Sequence, residues 1–114
     1  MAIDFEQMLK DMLTAGGAVV VKNGLEISAY AEKELNQVVQ AIVDIAQNVA
    51  ENQKDPTQGY PAASGKALMQ IQILSLENVL MGIEEMTKET AQQTINAMLD
   101  VVKNVAGGVL KALI

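Results

Sequence analysis

Glu77, Glu84, Glu85 and Glu89 form the dense acidic group of this 114-residue chain. Glutamates on bundle helices can hold hard cations, and the di-iron bundles do so with a Glu-x-x-His pair on each of two helices beside further carboxylates. Histidine is absent here, so the nitrogen ligands of such a centre are missing. Glu84 and Lys88 stand four apart, the spacing of a surface ion pair worth a few tenths of a kcal/mol on a helix. The group is expected to be a solvated face.

Nucleophilic chemistry fares no better. Ser28, Ser64 and Ser75 have no histidine base, and no Gly-x-Ser-x-Gly elbow surrounds any of them. Cysteine is absent, which removes thiolate nucleophiles, thiolate metal sites and disulfides. Ser64-Gly65-Lys66-Ala67 lacks the upstream glycine and the hydroxyl after lysine that a phosphate loop needs. No side chain has an ordinary pKa near neutrality. These residue types predict a protein that is not an enzyme and uses no cofactor or metal.

The charge balance narrows the partners. Net charge is −6, and the eight basic residues are scattered, so the basic stripe that nucleic acid requires is missing. An anionic membrane surface would repel the chain on average. Asp4, Glu6 and Asp11 sit where a secretory signal needs a basic start, and no uncharged run approaches the roughly 18 to 20 residues that cross a bilayer. A soluble, cytoplasmic protein is expected, with secretion by a route lacking a cleaved signal left open.

The elements that must position these side chains are helices. Hydrophobic residues make up 50% of the chain and aromatics 3%, so any core is aliphatic. Asp4 can cap a first helix by accepting from the Gln7 amide, Gln7 can reach back, and Ile3 and Met8 are placed as a hydrophobic staple. Phe5, Met8, Leu9, Met12 and Leu13 continue it at helical spacing. Asn23-Gly24 has two readings: a helix ending with Gly24 as its left-handed cap, or a type I′ turn in a β-hairpin between apolar runs. The cap is preferred, because an isolated hairpin has no sheet to join. From 27 to 54, Ala31, Leu35, Val38, Val39, Ile42, Ala46 and Val49 line one face. Asp55-Pro56 stops that helix. The connector 55–63 holds Gly59 and both prolines, and either Pro61 or Ser64 starts the next helix.

The stretch 64–113 carries one helical period throughout. Met69, Ile73, Leu76, Leu80, Ile83, Ala91, Met98, Val102 and Val109 share a side, which predicts one helix or two end to end, about 75 Å long if unbroken. The reading is a single all-α domain, 1–114, with helices at about 4–23, 27–54 and 64–113. It forms a long antiparallel hairpin or a three-helix arrangement that completes a four-helix or larger bundle by self-association. Either arrangement leaves an apolar stripe bare within one chain, and a second copy covers it.

Two groups of residues mark the expected interface. Ile71, Leu74 and Met81 lie on the wrong side of their helix, and a helix apolar on two faces is covered on two faces. Ile95, Leu99, Val102, Val109 and Leu113 belong to the terminal stripe. The remaining methionines are read as core filling rather than a promiscuous groove. Ala15-Gly16-Gly17-Ala18 and Ala106-Gly107-Gly108-Val109 echo each other; coincidence is preferred over paired hinges or a close helix crossing. The Trp-x-Gly turn of the small secreted helical hairpins is missing, since the connector reads Pro56-Thr57-Gln58-Gly59-Tyr60-Pro61.

The expected function is a self-associating helical-bundle protein with a structural or adaptor role, a homo-oligomer with a dimer favoured. The alternative is an amphipathic-helix binding protein that engages a membrane surface or a secretion partner through 90–114. The polar face there has only Lys103 and Lys111 as cations and no aromatic anchor, so a protein partner is favoured over lipid.

Overall fold

The Asp4 carboxylate accepts from the Gln7 amide at 3.0 Å and starts α1, Phe5–Lys22. Gln7 does not close the box; its side chain donates instead to Asp11 at 2.8 Å. At the other end Gly24 takes φ 76°. Its amide donates to the Val21 carbonyl at 2.9 Å, and the Leu25 amide to that of Val20 at 3.1 Å. These two bonds are a Schellman cap, and they decide the Asn23-Gly24 ambiguity for the helix end. Ser28 then accepts from the Ala31 amide at 3.1 Å and opens α2, Ala29–Lys54.

The computed structural model describes residues 3–105 and 113. After α2 the connector folds back on its own helix. The Asn52 side-chain Nδ2 donates to the Gln58 carbonyl at 2.8 Å. Asp55 accepts from the Thr57 amide and hydroxyl at 3.0 and 2.8 Å. Gly59, at φ 54°, lies so close to the Asn48 backbone that a Cβ would meet its carbonyl. Tyr60 is half-buried beside this turn, and burial, then the charge of Asp44, pushes its phenol above the ordinary 10.0. Pro61 occupies the cap position of α3, Ala62–Met81, with Ser64 inside the helix.

The stretch 64–113 is not one rod. The longest axis of the molecule is 45 Å, too short for a helix of about 75 Å. α3 ends at Met81, and α4 runs from Lys88 to Val105. Between them Ile83 and Met86 turn inward and are buried, and Glu85 takes a left-handed φ of 65°. The Thr87 hydroxyl accepts from the Thr90 amide at 3.1 Å and caps the new helix. Because Glu84 lies in this turn, Glu84 and Lys88 are not a helical i, i+4 pair.

Four helices result among the described residues, α1 packing on α2 and α4, and α3 on α2 and α4. With short connections this is an antiparallel four-helix bundle, so the all-α bundle class holds. It is completed within one chain, however. The core joins Met8, Met12 and Val20 of α1, Leu35, Val39, Ile42, Ala46 and Val49 of α2, Met69, Leu76 and Leu80 of α3, and Ile95, Met98 and Val102 of α4. The stripe on 90–105 that the sequence reading leaves bare is covered by α1 and α3. A second copy is not needed to close the bundle.

Candidate functional site

The inner side of α3 carries Met69, Leu76 and Leu80, all fully buried. Its outer side is also apolar. Ile71 is 58% exposed, Leu74 60%, Met81 44% and Leu68 40%. At about 100° per residue these four, with Ala67, fall within one arc facing away from the bundle. No charged residue occurs between Lys66 and Glu77. Val21 of α1, Tyr30 of α2 and Val105 of α4 are also exposed, and Tyr30 lies beside Asn78 and Val79 at the end of α3.

Such a face has a physical consequence. Scattered apolar residues on a surface are ordinary, whereas a contiguous patch marks a contact. A charge-free helix face in a chain of net charge −6 is also a place where a neighbour meets no carboxylate.

Each residue expected at the interface can now be placed. Ile71, Leu74 and Met81 lie together on this outer face. Ile95, Leu99, Val102 and Leu113 are buried in the chain's own bundle, so they are not available at the surface. The reason is topological: the fold-back at 82–87 turns the terminal stripe onto α1. Leu113 reaches the α2–α3 seam, where a Cβ on Gly65 would stand 2.8 Å from it and 2.5 Å from Val49. Val109 falls outside the described residues. Between Lys88 and Val105 the apolar side of this helix packs into the bundle, apart from Val105, which is 40% exposed.

Among the described residues no three acidic side chains converge to hold a metal. Glu77, Glu84, Glu85 and Glu89 are spread over α3, the turn and α4. No helix among the described residues is long and apolar enough to cross a membrane.

A cleft of about 330 Å³ also opens where α1 and α2 diverge, with Gly16 and Gly17 on one wall, Leu35 on the other and Thr94 and Met98 of α4 beneath. The Thr94 hydroxyl is fully buried and donates to the Thr90 carbonyl at 2.8 Å. No unpaired buried polar atom points into the cleft among the described residues. It offers shape without a directed group, and α3 remains the better candidate.

The chain matches no family model, no curated protein and no solved structure. Leu68 and the Lys66–Glu77 bracket are the parts of the surface that periodicity missed. Leu68 sits at the edge of the arc, and the bracket is visible only when the charges of α3 are read along its length.

Proposed function

We propose that this protein is a self-associating helical bundle with a structural or adaptor role and no catalytic machinery, and that α3 is where copies meet. One observation carries the reading: Ile71 and Leu74 are 58% and 60% exposed on a helix whose opposite side already fills the core. Leaving both in water forfeits the roughly 1.5 to 3 kcal/mol that burying each would contribute. A second copy is the occupant that fits best. It brings the same uncharged face, whereas the rest of an acidic surface repels its own kind. Pairing α3 with α3 joins two bundles side by side, each already closed.

Light scattering across about 5 to 200 µM tests this. The expected result is a mass of two chains at the upper end, falling toward one chain on dilution. A mass of one chain throughout overturns the proposal.

A further inference from the structure

We infer that the cleft between α1 and α2 binds a compact apolar amine in its protonated form, with the apolar body inside and the ammonium at Glu32. Whether copies of the chain associate through α3 does not bear on it.

Two side chains are missing from the α1 wall of that cleft. Gly16 and Gly17 present bare backbone there, and a Cβ on Gly17 would meet nothing within 4 Å. The space is about 330 Å³, roughly twice that of an apolar cavity known to hold one benzene ring, and within the range of small-molecule sites. Leu13 and Val20 of α1, Ile27 of the connection, Leu35 of α2 and Met98 of α4 line it. Val20, Leu35 and Met98 are buried, and the unbranched thioether of Met98 can adjust to the shape of a guest.

The polar groups of the lining select the head group. Thr94 lies beneath with its proton committed to the Thr90 carbonyl at 2.8 Å, so toward a guest its oxygen can only accept. Asn36 turns its side-chain nitrogen to the Glu32 carbonyl at 2.8 Å. Glu32, one turn of α2 before Asn36, is the one charged side chain of the lining among the described residues, and a carboxylate accepts without donating. An ammonium has donors and no acceptor, which complements this set. A guest bearing a carboxylate would be repelled by Glu32 and by a chain of net charge −6. Glu32 and Asn36 are exposed while Thr94 and Met98 are buried. Charge therefore sits at the mouth and apolar surface at depth, so the amine enters with its head outward and hydrated.

Adamantyl amine, adamantyl alcohol and adamantyl carboxylate share one apolar cage and differ in charge. Each is titrated into the full chain at low salt, followed by the methyl NMR signals of Met98, Leu35, Ile71 and Leu74. The amine is expected to shift Met98 and Leu35 and to leave Ile71 and Leu74 in place. Its affinity is expected to exceed that of the alcohol about three- to fivefold and that of the carboxylate about tenfold. Salt near 1 M is expected to bring the three together. Glu32→Gln keeps the shape of the side chain, and is expected to lower the amine to the affinity of the alcohol while leaving the alcohol unchanged. Gly17→Leu, which builds a side chain beside the opening, is expected to weaken all three.

An absence of any shift at Met98 overturns the proposal, as do shifts confined to Ile71 and Leu74. A carboxylate bound as tightly as the amine, or an amine affinity that Glu32→Gln leaves unchanged, overturns it too. None of these results touches the self-association surface, which dilution tests separately.

Discussion

Gly16 of α1 lies directly against Met98 of α4: a Cβ built on Gly16 would stand 2.9 Å from Met98 Cγ and closer still to its terminal methyl. The neighbouring Gly17 has nothing within 4 Å of the same position. Two adjacent glycines in one helix thus do different things. The first lets α1 and α4 approach where the thioether of Met98 fills the seam; the echoing glycines at 107 and 108 fall outside the described residues. The second only leaves space beside the cleft.

That difference predicts opposite signs. Gly16→Leu is expected to lower stability by about 1–3 kcal/mol, since the added side chain must displace a packed neighbour. Gly17→Ala is expected to raise it by up to about 1 kcal/mol through helix propensity. Urea denaturation of both variants checks this. A loss at Gly17→Ala as large as that at Gly16→Leu would contradict the crossing described.

Glu85 holds φ 65° in the turn between α3 and α4, a region that side chains with a Cβ enter at a cost of about 1–2 kcal/mol. Glu85→Gly is expected to stabilise the protein by about 0.5–1 kcal/mol once the larger freedom of glycine in the unfolded chain is counted. Glu85→Val is expected to destabilise it. Equal stabilities for the two variants in chemical denaturation would argue against this turn.

The helix ends were legible because each is a local matter of a few residues. Asp4, Asn23-Gly24 and Asp55-Pro56 carry their own hydrogen-bond logic, and the chain stops and starts where they stand. The turn at 82–87 was not legible from the apolar period, since the stripe of α3 and that of α4 share one phase: Met69, Leu76 and Leu80 continue into Ala91, Ile95 and Met98 without a slip. A capping threonine at Thr87 and the glycine at Gly82 were the available signals, and the period masked both. Ile71, Leu74 and Met81 could be read as outward because they break that phase. Which helix covers Ile95, Leu99 and Val102 could not be read, because coverage depends on where the chain folds back.

Asp55 gives the pH prediction. The Thr57 amide, then its hydroxyl, holds the Asp55 carboxyl below the ordinary 3.8. Depression in the folded state means the stabilising contribution is fully present above the unfolded value and is lost as pH falls through the folded one. Titration followed by NMR is expected to place the Asp55 midpoint below 3.8. Thr57→Val removes the hydroxyl and keeps the amide, so it is expected to move the midpoint partway upward, and an unchanged midpoint would show that the hydroxyl does not help hold the carboxylate.

Leu80 and Ile83 face the core, so Leu80→Asp or Ile83→Asp places an unpaired carboxylate in an apolar interior. Destabilisation above about 4 kcal/mol, seen as lost helical circular dichroism, is expected from either. Retained helicity at both positions would mean that they are not interior.

The most direct test of the central claim is sedimentation velocity of the wild type beside Ile71→Lys/Leu74→Lys, at concentrations where the wild type associates. The account predicts a wild-type dimer and a monomeric double variant with the same helical circular dichroism, because both side chains face solvent in the single chain. A double variant that sediments like the wild type would contradict it.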